Sequence, residues 1–411
     1  MTDYDDLFAE TAPDGSVFAE KRALDPLRPP ETIRGRDEHQ HAIAELLNGV
    51  TEGYLPPTVT IHGPPGTGKT VTTRRVCQEF AARHDDVAVE YVNLKECRSL
   101  FSAAREIHLE LTGETVGAYE GLDGAFAGIW AALDEYPEWT VLLLDEIDHI
   151  KQDANYDPSE FLYRLLRGEG KLKRDIQLSA WLISNELLEV DLRLDSRVES
   201  AMSDEAVFFG PYQHSDLERV VGPQLDAAFR DETLPAAVRE YGISEAARRW
   251  GDARKTLRLF RRAGEAATER ELPAVTRECI DANLEATDAE DVKQKLLNLP
   301  FNHFMVIAST TLGKDEDTGE IYQPVTTNQI AMRMQSDDLP EDVHLSDRAI
   351  REVIRDLLTM GLVETWIESR GRDGRVKQIE TTFDPQWIRD ILGRYLQNTP
   401  HLELETLLND K

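Results

Sequence analysis

An α/β unit on a parallel sheet, an all-helical segment after it, and a terminal unit of three helices closed by a β-hairpin form the fold class that this 411-residue sequence predicts. Three observations carry the prediction. Short apolar runs alternate with helical pattern from residue 58 to about 212, as in a parallel sheet covered by helices on both faces. Beyond His214 the apolar residues keep helical spacing to about Asp288, for example Leu217, Val220, Val221, Leu225 and Ala228. The last third ends in two β-rich runs, LVETWIE and VKQIETTF, joined across Asp373-Gly374, a strong two-residue hairpin signal.

A chain of this length exceeds what one hydrophobic core usually organises. Four segments are expected: a flexible N-terminal arm over 1–23, the α/β domain over 24–213, a helical lid over 214–290, and a terminal domain over 291–411. The acidic stretch Asp288–Asp291 leads into the last of these. No apolar run is long enough to span a bilayer, and the acidic start MTDYDDLFAE lacks the basic and apolar regions of a signal peptide, so a soluble, cytoplasmic protein without a membrane partner is expected. Cys77, Cys97 and Cys279 lie too far apart for a zinc or CxxC pattern and give no disulfide framework.

Acidic residues number 77 against 46 Lys and Arg, a net charge of -31, and they are spread along the whole chain. Only 12 of the cations are lysine. Dispersed acidity with arginine preferred fits a salt-rich cytoplasm, where screening relieves self-repulsion, and a halophilic source is the expectation. Against that background a local cluster of cations carries information.

The strand-like run Thr58–His62 leads directly into Gly63-Pro64-Pro65-Gly66-Thr67-Gly68-Lys69-Thr70 and then a helix-forming segment from Val71 to Arg83. This is a P-loop in the context its mechanism needs. The glycines let backbone N–H groups wrap phosphates, and the helix N-terminus faces their charge. Lys69 would reach the β- and γ-phosphates of ATP, and Thr70 would ligate Mg²⁺.

A second run, Val141-Leu-Leu-Leu-Asp-Glu-Ile-Asp148, is too short for a helix and too continuously apolar for a half-exposed strand. It reads as a central parallel strand ending in carboxylates. Asp145 would hold Mg²⁺ and Glu146 would polarise an attacking water. Further strands are expected at Val87–Asn93, Gln177–Ser184 and Ala206–Phe209. Asn185, just after one of them, is either a cap or turn residue or a group that orients the water or senses the γ-phosphate. Leu194-Asp-Ser-Arg-Val198 presents Arg197, and Gly251-Asp-Ala-Arg-Lys255 presents Arg254 at the start of a helix; both arginines suit the stabilisation of transferring charge.

In the terminal domain Phe301, Phe304, Met305, Ala308 and Leu312 mark one helix. Thr326 or Thr327 caps a second, which carries Ile330 and Met334, and Ser346 caps a third, whose Ile350, Val353, Ile354, Leu357 and Leu358 face a core before Gly361 stops it. Three helices and a hairpin make a winged helix. Arg348, Arg351 and Arg355 lie on the polar side of its third helix, and Arg370, Arg372, Arg375 and Lys377 populate the wing. Cations collected where such a domain meets duplex DNA, in a chain otherwise repelled by it, predict DNA binding.

GPPGTGKT, LLLDEID, SNEL, LDSRVES and GDARKTLRLFRRAGEAA, in that order, resemble the AAA+ ATPases, specifically replication initiators of the archaeal origin-recognition and cell-division-control type. Ser196 stands where that family usually has proline. The resemblance implies a P-loop AAA+ domain with a helical lid and a winged helix, using ATP and ADP with Mg²⁺. It implies that Asn185 is a first sensor, Arg197 a finger acting on an adjacent subunit, and Arg254 a second sensor. The stretch from Val17-Phe18 to Arg36-Asp37 resembles the family's entry segment against the adenine, and Arg36 and Tyr212 join the candidate nucleotide contacts. Implied partners are double-stranded origin DNA, a replicative helicase and further copies of the chain on DNA, with a location at the nucleoid. Two alternatives stand beside origin binding: a helicase loader with nonspecific DNA binding, and a signalling ATPase whose winged helix serves only for packing.

Overall fold

The computed structural model describes residues 15–28, 30, 32–97, 99–117, 120–152, 157–167, 177–185, 202–311, 313, 321–335, 344–369, 375–389 and 391–392. The chain divides into two compact units, Met1–Asn283 and Leu284–Lys411.

In the first unit, β1 (Thr58–His62), β2 (Val87–Asn93), β3 (Trp139–Asp145), β4 (Gln177–Ser184) and β5 (Ala206–Phe208) form one sheet in the order β2-β3-β4-β1-β5. Every pairing is parallel. Side chains of a strand alternate between faces, and here both faces are covered, so the central strands are apolar throughout. Val141 and Leu143 of β3, with Trp181 and Ile183 of β4, pack into a core with α1 (Asp37–Asn48) and α2 (Lys69–Ala81). Leu142 and Leu144, with Ala180 and Leu182, pack into the opposite core with α3 (Leu100–Thr112), α4 (Gly121–Leu133) and α5 (Pro158–Arg167). Full burial of one such aliphatic side chain is worth about 1.5–3 kcal/mol. The segment between α3 and α4 includes a buried Val116.

The lid helices are α6 (His214–Ala228), α7 (Ala236–Arg249), α8 (Ala253–Glu269) and the start of α9 (Arg277–Leu297). They belong to the same compact unit as the sheet. The helical reading of this segment holds, but Val220 is only half-buried and lines the cavity described below, whereas Leu217, Val221, Leu225 and Ala228 enter the core.

Two expectations about boundaries need correction. The arm over 1–23 is not free along its whole length: Val17, Phe18 and Leu24 are buried, Phe18 forms a bridge to Phe229 with ring centroids 5.1 Å apart, and Ala19 N–H donates to Ala228 at 2.8 Å. Apolar residues at 17, 18 and 24 gain more by packing on α6 and α8 than by remaining in water. The stretch Asp288–Asp291 is not a linker either; it lies inside α9, and the two compact units divide between Asn283 and Leu284, also within that helix. Ala, Glu, Lys and Leu around those acids are good helix formers, and propensity overrides the charge.

In the second unit, α10 (Phe301–Ser309), α11 (Thr327–Met334) and α12 (Asp347–Thr359) pack with β6 (Val325–Thr326), β7 (Val363–Ser369) and β8 (Arg375–Thr381), ordered β6-β8-β7 and antiparallel. This is a winged helix. Thr326 caps α11 in a reciprocal box with Gln329, and Ser346 accepts from Ala349 N–H at the start of α12. Phe304, Ile330, Ile350, Ile354 and Ile379 meet in its core. Leu358, placed in that core from the sequence, is 40% exposed, because the buried stripe of α12 runs through Ile350, Val353, Ile354 and Leu357 and turns away at its last turn. Among the described residues no helix is long and apolar enough to cross a membrane.

Candidate nucleotide site

Strands β1, β4 and β3 are neighbours, so whatever follows their C-terminal ends is brought together at the edge where ligands of open α/β sheets bind. After β1 comes the P-loop. Gly66 and Gly68 take positive φ values of 72° and 87°, a region that disfavours side chains. A Cβ on Gly66 would overlap the Asp252 carboxylate, and one on Gly68 would lie 2.6 Å from the Tyr212 hydroxyl. The loop therefore closes tightly on the lid residues around it.

Lys69, the first residue of α2, is 7% exposed and donates to Gly63 O at 2.6 Å, Pro64 O at 2.9 Å and Asn185 Oδ1 at 3.2 Å. Burial lowers its pKa, and the carboxylates of Glu146 and Asp145 act against that shift. Thr70 Oγ1 donates to both oxygens of Asp145, at 3.2 and 3.0 Å. Glu146 follows with φ of 55°, a left-handed conformation that non-glycine residues adopt rarely and at some cost, often at functional sites. Its N–H donates to Asp145 Oδ1 at 3.0 Å, and its Oε2 accepts from Asn185 Nδ2 at 2.9 Å. The Asn185 amide lies in the site and spans Lys69 and Glu146.

These groups open onto a cavity of ≈ 880 Å³, a size suited to a cofactor. Pro65, Gly66, Gly68, Lys69, Thr70, Asp145, Glu146, Asn185, Tyr212 and Arg254 line it. The entry segment supplies another wall through Pro26, Leu27, Arg28, Pro30 and Arg34. Gly63, Pro64 and Thr67 belong to the loop without lining the cavity. Arg36 does not line it either, against expectation. It is 5% exposed beneath the loop, donating to Thr67 O at 2.9 Å and Gly210 O at 2.6 Å with its guanidinium 3.7 Å from the Tyr212 ring centre. It shapes the P-loop from behind.

Two contributors escaped the sequence reading. Asp252, 5% exposed, caps α8 by accepting from Lys255 N–H at 3.0 Å, and Ala253 N–H donates to Gly66 O at 3.2 Å. Burial raises its carboxyl pKa. This contact seats the helix of Arg254 on the P-loop, and the motif Gly-Asp-Ala-Arg beside a P-loop is the signal that could have found it. Tyr91, in β2, donates to Asp145 Oδ2 at 2.8 Å.

Arg197 lies outside the described residues, as do Arg370 and Arg372. Arg375 begins β8, with its side chain outside the described set, and Lys377 is exposed on the same strand. Arg348, Arg351 and Arg355 are exposed on one face of α12. Arg348 is paired with Glu352 at 3.1 Å, and no described residue forms an ion pair with Arg351 or Arg355.

Fold and site define a P-loop ATPase of the AAA+ class, and residues 32–174 match the family of the AAA ATPase domain. Similarity extends well beyond that domain. The chain is 27% identical to ORC1-type DNA replication protein 1 of Methanosarcina acetivorans, over 99% of this chain and 98% of that one. It is 29% identical to the ORC1-type DNA replication protein of Pyrococcus horikoshii, over 94% and 92%. The Aeropyrum pernix ORC1 protein, solved in complex with DNA, matches with a TM-score of 0.69 and 25% identity, over 93% of this chain and 97% of that chain. Over nearly its whole length the chain is similar to ORC1-type DNA replication proteins.

Proposed function

We propose that this protein is a replication initiator that binds double-stranded origin DNA under the control of ATP and promotes the loading of a replicative helicase, with slow hydrolysis as the switch. One observation carries the DNA side of the reading: an exposed face of α12 bearing Arg348, Arg351 and Arg355 in a winged helix, within a chain of net charge -31. Such a helix enters the major groove, and the wing cations Arg370, Arg372, Arg375 and Lys377 meet adjacent phosphates. A chain this acidic needs local cations to overcome repulsion from the duplex. Location at the nucleoid and self-association along DNA follow from the same reading.

On the nucleotide side, the backbone N–H groups of the P-loop and the start of α2 cradle the phosphates of ATP, and Lys69 bonds their outer oxygens. Glu146 aligns the attacking water and takes its proton, while Asn185 fixes the Glu146 carboxylate relative to Lys69. Arg254, held over the loop by the Asp252 contact, stabilises charge at the phosphates, and Arg197 does so for a neighbouring copy. Thr70 and Asp145 fit Mg²⁺: a hydroxyl and a carboxylate, both hard oxygen donors, lie 3.0 Å apart beside the phosphate loop. Mg²⁺ bound there would neutralise phosphate charge.

The test is DNA affinity across a salt series in potassium-rich buffer. Arg372→Ala with Arg375→Ala weakens origin and random duplexes by similar factors and makes the log-log salt slope shallower by up to about 2. Arg351→Ala instead narrows the difference between origin and random duplex by roughly 1–3 kcal/mol, as expected of a side chain that reads a base edge. ATP hydrolysis without DNA stays at the parent rate in both. Unchanged affinity and slope in the wing double variant would make those cations ordinary solvated surface.

A further inference from the structure

The sequence predicts β2 as one more strand of the sheet. Its pairing with β3 sets Asn93 opposite Asp145 and Tyr91 opposite Leu143. Residues two apart on a strand share a face, so Tyr91 and Asp145 are diagonal neighbours on the face covered by α2, within reach of a long side chain. Tyr91 uses that reach: its hydroxyl donates to Asp145 Oδ2 at 2.8 Å and accepts from Asn93 Nδ2 at 3.2 Å. The Arg74 guanidinium lies 4.5 Å from the Tyr91 ring centre.

Asp145 is 4% exposed, yet its carboxylate has three donors from three elements. Thr70 reaches it from α2, the Glu146 N–H from its own turn, and Tyr91 from β2. A carboxylate has about four lone-pair positions, so a cation takes whichever the protein leaves open. The Tyr91 hydroxyl blocks one side of Oδ2 and stops the carboxylate from turning about its Cβ–Cγ bond. Partners of this kind, one step removed from a metal, set both the orientation and the strength of the ligand they hold.

We infer that Tyr91 is a positioning residue for the divalent cation, holding Asp145 in the orientation that binds it, with Asn93 aiming the Tyr91 hydroxyl. The inference rests on the assignment of Asp145 to Mg²⁺ made above. Tyr91 also lines the nucleotide cavity, and its effect on the cation runs through Asp145.

The experiment uses the full chain and measures ADP binding while Mg²⁺ is titrated, so that hydrolysis does not enter. Tyr91→Phe removes the hydroxyl and keeps the ring beneath Arg74. Its Mg²⁺ midpoint rises about tenfold, while ADP affinity in excess EDTA stays within about twofold of the parent. Tyr91→Leu also strips the ring; its melting temperature falls further, but its Mg²⁺ midpoint matches that of Tyr91→Phe, which separates packing from positioning. A parent-like Mg²⁺ midpoint in Tyr91→Phe overturns the inference and leaves Asp145 as the cation ligand. A parent protein whose ADP binding ignores Mg²⁺ altogether overturns the cation assignment, and the inference with it.

Discussion

Glu146→Gln lowers ATP hydrolysis by about 10²–10⁴-fold, the usual contribution of a positioned general base, and leaves ATP affinity within about twofold of the parent. The geometry separates the two quantities. Asn185 links Glu146 to the P-loop lysine by hydrogen bonds, donating to Glu146 Oε2 at 2.9 Å and accepting from Lys69 at 3.2 Å. Glutamine keeps the shape and an acceptor oxygen for Asn185, so the bound ground state is preserved. What it loses is the capacity to take a proton from water, which matters only as the transition state forms. Single-turnover hydrolysis beside equilibrium ATP binding checks this, and parent-like hydrolysis would remove Glu146 from the mechanism.

Lys69→Ala has the opposite signature, because its charge is used in the ground state. Charge-assisted hydrogen bonds are worth roughly 1.5–3 kcal/mol each, so losing two phosphate contacts weakens ATP binding by at least about 10²-fold. The loss is deepened by the neighbours. Lys69 sits among Asp145, Glu146 and Asp148, and without its ammonium their negative charge acts directly on the phosphates. The fold is retained, since alanine suits the first turn of α2. Equilibrium binding of a fluorescent ATP analogue measures it; affinity within about threefold of the parent would contradict the assigned role.

The parts of this molecule that were legible in its sequence are those in which chemistry and pattern coincide. β3 is apolar on both faces because both are covered, and it ends in Asp145-Glu146, so strand, burial and site could be read from one run of residues. The caps at Thr326 and Ser346 were equally visible, because a capping residue acts within its own turn. Features that depend on register or on distant packing were not. Tyr91 meets Asp145 only because β2 lies beside β3 in a particular alignment, and no local pattern encodes it. Val325-Thr326 is too short for strand periodicity and pairs only because Gln378 and Ile379 present an edge. Arg36 is expected from the sequence to contact the nucleotide, but its burial under Thr67 and Gly210 turns it to a structural use. Phe18 reads as part of an acidic arm until Phe229 and Gly264 supply a place for its ring.

The central claim is that an ATP-binding unit and a winged helix act together on particular duplex sites. Footprinting the full chain on duplex fragments of its own genome, with ATP or ADP in potassium-rich buffer, tests this most directly. The account predicts discrete protected sites of recurring sequence, with protection that differs between ATP and ADP. Protection absent from every fragment, or spread equally over origin and random duplex in either nucleotide, by a protein that still binds ATP, would contradict it.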